Sequence, residues 1–405
     1  MGQTVVQKIL SRKLGRAVTC GEYIFVKVDG AMASDTTAPQ MIQAFQAMGG
    51  KRIWDPQKLA LVLDHASPAP NEKVARLHQL IRAFAKEQNC RLYETGAGIC
   101  HHLMLDNGHV AADEVFIGAD SHTCTYGAIG AFATGVGSTD LAAVLLTGKI
   151  WLRVPASIRL SLSGNPQLGV SSKDIMLSIV GQLGPDLCNY RSLEFAGDFF
   201  DRSSLAARIP FANMGAELGA KSSLIENPAS SCGLADADAD YIYKLDVDVN
   251  HIKPQICVPH GPHNNRDVDD CVGIRIELAF LGACTNTRIE DLREAATVLR
   301  GQQVAEGVRL YIVPATRNTL LEAIRDGTME TLTAAGATFL PSGCGPCVGT
   351  HLGVPGDDEN VISAANRNYR GRMGNPKANI YLASPATVAA SAIRGKICNP
   401  QDYLR

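Results

Sequence analysis

Leu281-Gly282-Ala283-Cys284-Thr285-Asn286-Thr287, joined further along the chain by Cys344-Gly345-Pro346-Cys347, is the pair of stretches from which this protein is read. Together they offer three thiolates, not four. Structural zinc takes four closed ligands, and a simple electron-transfer iron–sulfur centre is closed by four cysteines. Three cysteines on a cluster of four irons leave one iron open to bind and polarise a substrate. On that reading the chain is a Lewis-acid enzyme, not an electron carrier. An isolated cysteine is more often a small buried hydrophobe. Here the glycines around Cys344 and Cys347 allow close backbone approach and amide donation to sulfur. A C-x-x-C turn also describes a thioredoxin-like redox pair, but such a pair opens a helix and leaves Cys284 unexplained. The C-x-x-x-C-x-x-C spacing of a radical cluster is absent.

Both cysteine elements follow strand-like runs. Ile274, Ile276, Leu278 and Phe280 alternate as a strand that feeds the turn carrying Cys284. Thr287 and Glu290 read as a capping box, and Ile289, Leu292, Ala296 and Leu299 as the face of the helix it starts, closed by Gly301. Arg309 to Val313 is the next strand, and Thr338-Phe339-Leu340 delivers the chain to Cys344. The cysteines therefore belong on one side of one sheet.

Asp-His pairs lie at strand ends in the first part of the chain. Leu59-Ala60-Leu61-Val62-Leu63 is a short apolar strand ending at Asp64-His65. Asn71 to Cys90 then reads as a helix with Val74, Leu77, Leu80, Ile81 and Phe84 on its apolar face. Glu114 to Gly118 is a strand ending at Asp120-Ser121-His122, and Gly127 to Leu146 is helix-like and Gly-rich. Open α/β sheets place ligand sites just past strand C-termini. A lone histidine is more often structural than catalytic. A carboxylate beside an imidazole orients it and raises its basicity, which suits proton transfer at neutral pH. His101-His102 lies between the two pairs. A Ser-His-Asp hydrolase at Ser121 is discounted, because the Gly-x-Ser-x-Gly elbow is missing there. Asn366-Arg367-Asn368-Tyr369-Arg370-Gly371-Arg372 is either a solvated basic loop or a pair of guanidiniums suited to a di-acid.

Bulk properties agree with a large enzyme. At 405 residues the chain exceeds one ordinary core. Hydrophobic residues make up 46% and charged residues 19%, and the net charge of −2 gives no electrostatic reason to bind nucleic acid or an anionic membrane. No apolar run is long enough for a transmembrane helix, and Met1 to Arg16 lacks the features of a signal peptide. The expected location is the cytoplasm, where the twelve cysteines stay reduced. The organisation expected is α/β in three parts: residues 1–155 with the Asp-His and Asp-Ser-His loops, 156–272, and 273–405 with the cysteines and the arginine motif.

Leu-Gly-Ala-Cys-Thr-Asn-Thr, Ser-Gly-Cys-Gly-Pro-Cys-Val-Gly, Gly-Ala-Asp-Ser-His-Thr and Asn-Arg-Asn-Tyr-Arg-Gly-Arg together resemble the motifs of the aconitase superfamily, in its order and essentially from end to end. In length the chain resembles the branch of separate large subunits, of isopropylmalate dehydratase and homoaconitase type. The resemblance implies three α/β domains packed around a central cluster, with the swivel domain absent. It implies a [4Fe-4S] cluster on Cys284, Cys344 and Cys347 whose open iron takes the substrate hydroxyl and a carboxylate. His65, oriented by Asp64, would protonate the leaving hydroxyl, while His101, Asp120 and His122 would order the water at the open iron. Asn213 and Glu217, in Ala212-Asn213-Met214-Gly215-Ala216-Glu217, would partner cluster and water. Asn366 would flank the cluster, and Ser121, Arg367 and Arg372 would serve the substrate or cluster ligation. Asp35-Thr36-Thr37 matches a substrate-proximal turn more weakly.

In single-chain relatives a C-terminal swivelling domain supplies a serine base. This chain stops at Arg405, so a separate small subunit is expected to complete the site, and Ser384 is not that base. The activity implied is a hydro-lyase that interconverts 2- and 3-isopropylmalate in leucine synthesis. Alternatives are homoaconitase and citramalate or dimethylmalate dehydratase, and from other classes an iron-responsive RNA-binding regulator or an inactive scaffold. Ala66-Ser67 after His65, and His102, depart from the residues common in the isopropylmalate branch.

Overall fold

The computed structural model describes residues 2–404. The first part of the chain carries β1 (Tyr23–Lys27), β2 (Gly30–Ser34), β3 (Leu59–Val62), β4 (Arg91–Tyr93), β5 (Val115–Gly118), β6 (Phe132–Gly135) and β7 (Lys149–Arg153). Five of these form a wholly parallel sheet in the order β4-β3-β2-β5-β6. β2, β3 and β5 are buried at every residue, as expected of parallel strands covered on both faces. β1 and β7 pair antiparallel as a separate ribbon.

The helix read over Asn71–Cys90 spans Glu72–Gln88, with the Asn71 side chain accepting from the N–H groups of Lys73 and Val74. Its buried face differs from the one expected. Leu77 is exposed, while His78, Ile81, Phe84, Ala85 and Gln88 are buried. His78 goes inward because its Nε2 meets the buried Asp35 carboxylate at 3.1 Å. The expected helix over Gly127–Leu146 is also replaced. A 3₁₀ segment at Ser121–Ile129 leads into β6, and the α-helix starts only at Ser138. Gly130 at φ +86 makes the turn between them, and a Cβ at Gly127 would lie 1.8 Å from the Ser223 carbonyl oxygen.

A second parallel sheet contains β8 (Ser157–Ser163), β9 (Ser192–Ala196), β10 (Ser222–Ile225) and β11 (Tyr243–Asp248) in the order β10-β9-β8-β11. The helix Ser172–Leu183 is closed at its start by a Ser171–Asp174 capping box.

The third sheet has seven strands: β12 (Gln255–Cys257), β13 (Asn265–Asp267), β14 (Leu278–Leu281), β15 (Arg309–Ile312), β16 (Thr338–Phe339), β17 (Asn360–Ser363) and β18 (Asn379–Ala383). Their order is β13-β12-β18-β17-β14-β15-β16, with β12 antiparallel to both of its neighbours and every other pair parallel. β12 and β13, which fall in the 156–272 stretch, thus hydrogen-bond into the sheet that carries the cysteines. β14 begins at Leu278, after Ile274 and Ile276, and is buried on both faces rather than alternating. The next helix, Ile289–Leu299, is capped by Arg288 and Asp291, not by Thr287 and Glu290. Thr287 takes a left-handed φ of +77 that no helical first turn uses, so the helix starts one residue later. All twelve cysteines are free, and among the described residues no helix is long and apolar enough to cross a membrane.

Candidate active site

The C-terminal ends of two sheets meet at one place. β3 delivers Asp64-His65 and β5 delivers Asp120-Ser121-His122, while β14 leads to Cys284 and β16 to Cys344. A cavity of about 280 Å³ opens between them. It is lined by His65, His101, Asp120, Ser121, His122, Cys284, Cys344, Arg367 and Arg372, together with Thr36, Thr37, Ile99, Ala119, Val136 and Val348. Eleven of the residues singled out by sequence, Thr36 and Thr37 among them, therefore face a common space. Asp64, Asn213, Glu217, Cys347 and Asn366 stand behind that wall, hydrogen-bonded to residues that face it.

His65 sits between two carboxylates. Its Nδ1 lies 2.8 Å from Asp64 Oδ1 and its Nε2 3.3 Å from Asp120 Oδ2. Burial opposes protonation of this imidazole, but Asp64 and then Asp120 outweigh it and hold its pKa well above the ordinary histidine value. Asp64 is fully buried, and its other oxygen accepts the Cys100 N–H at 2.7 Å, fixing the carboxylate plane. Asp120 also meets His101 Nε2 at 3.1 Å and accepts the His122 N–H at 2.8 Å. Burial alone would raise the Asp120 pKa; His101, His122 and His65 reverse this and keep it well below the usual carboxylate range. His122 Nε2 reaches Glu217 Oε1 at 2.8 Å, and the other Glu217 oxygen accepts Arg367 Nε–H at 2.7 Å. Glu217 thus stays ionised, its pKa lowered despite burial.

The three cysteines are buried. Cys284 Sγ receives the Asn213 amide at 3.1 Å and the Asn366 amide at 3.4 Å, while Arg372 donates to Cys347 Sγ at 3.4 Å. Burial pushes the Cys284 thiol up. Of the adjacent pair, Cys347 gives up its proton first, favoured by the Cys344 hydrogen bond and by Arg372, while Cys344 holds its own. Amide and guanidinium donors aimed at buried sulfur suit thiolate ligands. Three such sulfurs, two lining the cavity and Cys347 just behind it, with Arg372 Nε left without a partner among the described residues, form a donor set that fits an iron–sulfur cluster. Cys284 also lies with His101 and His122 in a group whose potential ligand atoms are within 4.8 Å of one another.

Several supporting residues were not singled out, or only weakly. Asp35 accepts the N–H groups of His65 at 2.8 Å and Ala66 at 2.9 Å, as well as His78, and so builds the turn that presents His65. Tyr126 OH lies 3.2 Å from His101 Nδ1. Lys173, fully buried and pulled down to about 8 by desolvation, donates to the carbonyls of Ala364 and Ala365, just before Asn366. Thr350 Oγ1–H donates to the His65 carbonyl at 2.6 Å. No local pattern marks these residues, because each is defined by a partner far along the chain. Ser384 is fully buried at the head of the helix Pro385–Arg394, bonded to Thr387 and away from the cavity.

Comparison with known proteins places the chain among relatives. The profile of the Aconitase family (aconitate hydratase) matches residues 7–232 and 269–395. The chain is 41% identical over 418 residues to 3-isopropylmalate dehydratase large subunit 1 of Methanopyrus kandleri, covering 100% of both chains. It is 42% identical over 416 residues to the probable methanogen homoaconitase large subunit of Methanothermobacter thermautotrophicus, covering 98% of this chain and 97% of the other. The holo-form of Thermococcus kodakaraensis aconitase X shares the fold, with a TM-score of 0.51 at 11% identity over 92% of this chain and 93% of that one. A family profile spanning most of the chain and full-length relatives of this identity lead to one conclusion: the chain belongs to the aconitase family.

Proposed function

We propose that this chain is the large subunit of a hydro-lyase that isomerises 2- and 3-isopropylmalate by dehydration and rehydration. The observation that carries the reading is one cavity faced by an Asp64-oriented imidazole, the Asp120 carboxylate, two cysteines and two arginines. Cys284, Cys344 and Cys347 would hold a [4Fe-4S] cluster. When bound, such a cluster supplies Lewis acidity at an iron that no cysteine closes.

The chain's own residues do the rest. Asp64 on Nδ1 fixes the His65 tautomer and leaves Nε2 as the nitrogen that gives its proton to the departing hydroxyl. In the return step the same nitrogen takes a proton from the incoming water. Asp120, shared by His65, His101 and the His122 N–H, holds these groups in register. Arg367 binds Glu217 through Nε and lines the cavity, where its guanidinium and that of Arg372 suit the two carboxylates of a malate. Ser121 lines the same cavity, and Asn213 and Asn366 act on Cys284 Sγ. None of the carboxylates placed here is assigned to removing the proton alpha to the substrate carboxylate. That base is assigned to a separate small subunit, in keeping with relatives that are named large subunits. The three-part division at 155 and 272 is proposed with it, β12 and β13 of the second part pairing into the sheet of the third.

A second substrate has specific support: the homoaconitase relative is as similar as the isopropylmalate ones. Anaerobic reconstitution with the small subunit and a panel of malates tests both. Isomerisation of 2-isopropylmalate is expected. Turnover of homocitrate or citramalate, with none of isopropylmalate, overturns the substrate assignment and leaves the hydro-lyase class standing.

A further inference from the structure

We propose that β1 is a dimerisation edge, pairing antiparallel with β1 of a second copy of this chain in a register centred on Phe25. β1 and β7 form a two-stranded ribbon. The Val28 N–H donates to the Gly148 carbonyl at 3.0 Å, and the pairing register runs Val26↔Ile150 and Ile24↔Leu152. Antiparallel pairs alternate between hydrogen-bonded and non-hydrogen-bonded. The N–H and C=O groups of Tyr23, Phe25 and Lys27 therefore point to the other edge, where no strand pairs among the described residues. The corresponding edge of β7 is closed at both ends. Arg153 N–H donates to Tyr190 OH at 3.2 Å and Lys149 N–H to Thr147 Oγ1 at 3.2 Å.

The outer face of the ribbon is aromatic. Tyr23 is 69% exposed, Phe25 72% and Trp151 58%, with Phe25 directly opposite Trp151 and the Tyr23 and Trp151 rings stacked at 6.3 Å. The inner face is fixed to the core through Ile24, Val26, Ile150 and Leu152, all buried. A rigidly mounted, open, aromatic edge is what soluble proteins ordinarily blunt or cover, and an isolated two-stranded ribbon is marginal by itself.

Unpaired backbone groups identify the occupant as an extended strand. The charge pattern identifies which strand. Lys27 stands at one end of the edge and Tyr23 at the other, while the flanking strand adds Lys149 and Arg153. A partner strand must keep cations away from Lys27. β1 satisfies this against itself. In a register centred on Phe25, Lys27 of one copy faces Tyr23 of the other, a cation over a ring, and the two Phe25 side chains meet. Each outward N–H and C=O is then paired, and a four-stranded sheet β7-β1-β1-β7 runs across a two-fold axis. β1 enters the molecule at the N-terminal end of β2, opposite the strand ends that bear the cavity, so this contact leaves the cavity free for a small subunit.

Sedimentation equilibrium of the full-length chain, alone and with its small subunit, tests the proposal. The chain alone is expected at twice its 43.2 kDa mass, and Phe25→Asp is expected to return it to one chain mass with unchanged far-UV circular dichroism and turnover, its melting temperature falling only by the lost dimer contact. Register is tested separately in a Cys20→Ser background. Facing residues of a hydrogen-bonded pair lie about 5.5 Å apart, within disulfide reach. Phe25→Cys should give an oxidised dimer on mild oxidation, and Tyr23→Cys should do so only when combined with Lys27→Cys. A monomeric wild-type chain overturns the proposal. So does a dimer that survives Phe25→Asp, one that Phe25→Cys cannot cross-link, or a Phe25→Asp effect limited to loss of the small subunit.

Discussion

The Cys344 N–H donates to the carbonyl oxygen of Asp64 at 2.7 Å, so one cysteine loop is hydrogen-bonded directly to the turn that carries the Asp-His pair. Next to it, a Cβ on Gly343 would lie 2.7 Å from that same oxygen. The contact is close because glycine leaves room for it, and it sets the imidazole and the sulfurs at a fixed separation. The acid–base half and the cysteine half of the site are therefore one rigid unit.

His65→Asn removes the proposed proton donor while keeping a polar side chain beside Asp64. Turnover is expected to fall about 10²–10⁴-fold, the usual contribution of a positioned acid–base group. Visible absorbance of the reconstituted cluster and the melting temperature should be nearly unchanged. Loss of that absorbance in this variant would move His65 from proton transfer to cluster support.

Asp35 organises the same turn from beneath, accepting from His65, Ala66 and His78. Asp35→Asn replaces one acceptor oxygen by a donor and sets it against an N–H or the His78 ring. A stability loss of about 2–4 kcal/mol is expected, comparable to breaking a buried, hydrogen-bonded charge. Denaturant unfolding measures it, and unchanged stability would remove Asp35 from this role.

Arg372 is the cation that touches Cys347 Sγ, and Cys284 is held by two amides. Cys284→Ser is expected to reduce bound iron per chain to background after reconstitution. Arg372→Met is expected to retain iron initially and lose it several-fold faster to a chelator. Iron and sulfide analysis reads both. Full iron content in Cys284→Ser would sink the three-cysteine assignment.

Away from the cavity, Glu294 makes no ion pair among the described residues and lines a larger cleft with Glu290 and Asp291. Burial, then the charges of Asp291 and Asp174, push its pKa up to about 8. A carboxyl whose folded pKa is raised binds its proton more tightly in the folded state. Its contribution to stability is complete below about 4.5 and is lost as pH rises through about 8. The slope is at most about 1.4 kcal/mol per pH unit, reduced because the side chain is partly open to solvent. Glu294→Gln should flatten the melting-temperature profile between those pH values. An unchanged profile would show that Glu294 titrates normally.

The strand-end placement of the candidate residues was legible from sequence. Cys284, Cys344, Cys347, Asp64-His65 and Asp120-Ser121-His122 could be read because the motifs are local and follow short apolar strands. Local patterns misled where a long-range partner decides. The apolar period points Leu77 inward and His78 outward, whereas the structure reverses them because Asp35 holds the buried histidine. The Gly127–Leu146 stretch has a helix-like pattern, but the close approach of the Ser223 backbone selects a different path. β12 and β13 could not be assigned to a sheet, because strand pairing with β18 is a contact over more than a hundred residues of chain. Tertiary structure alone decided that the Asp-His pairs and the cysteines line one cavity, that Lys173 supports the Asn366 loop, and that β1 is left with an open edge. Side-chain chemistry is written residue by residue. Which chemistries share a space is set by how separate sheets pack, and that is a property of the whole chain.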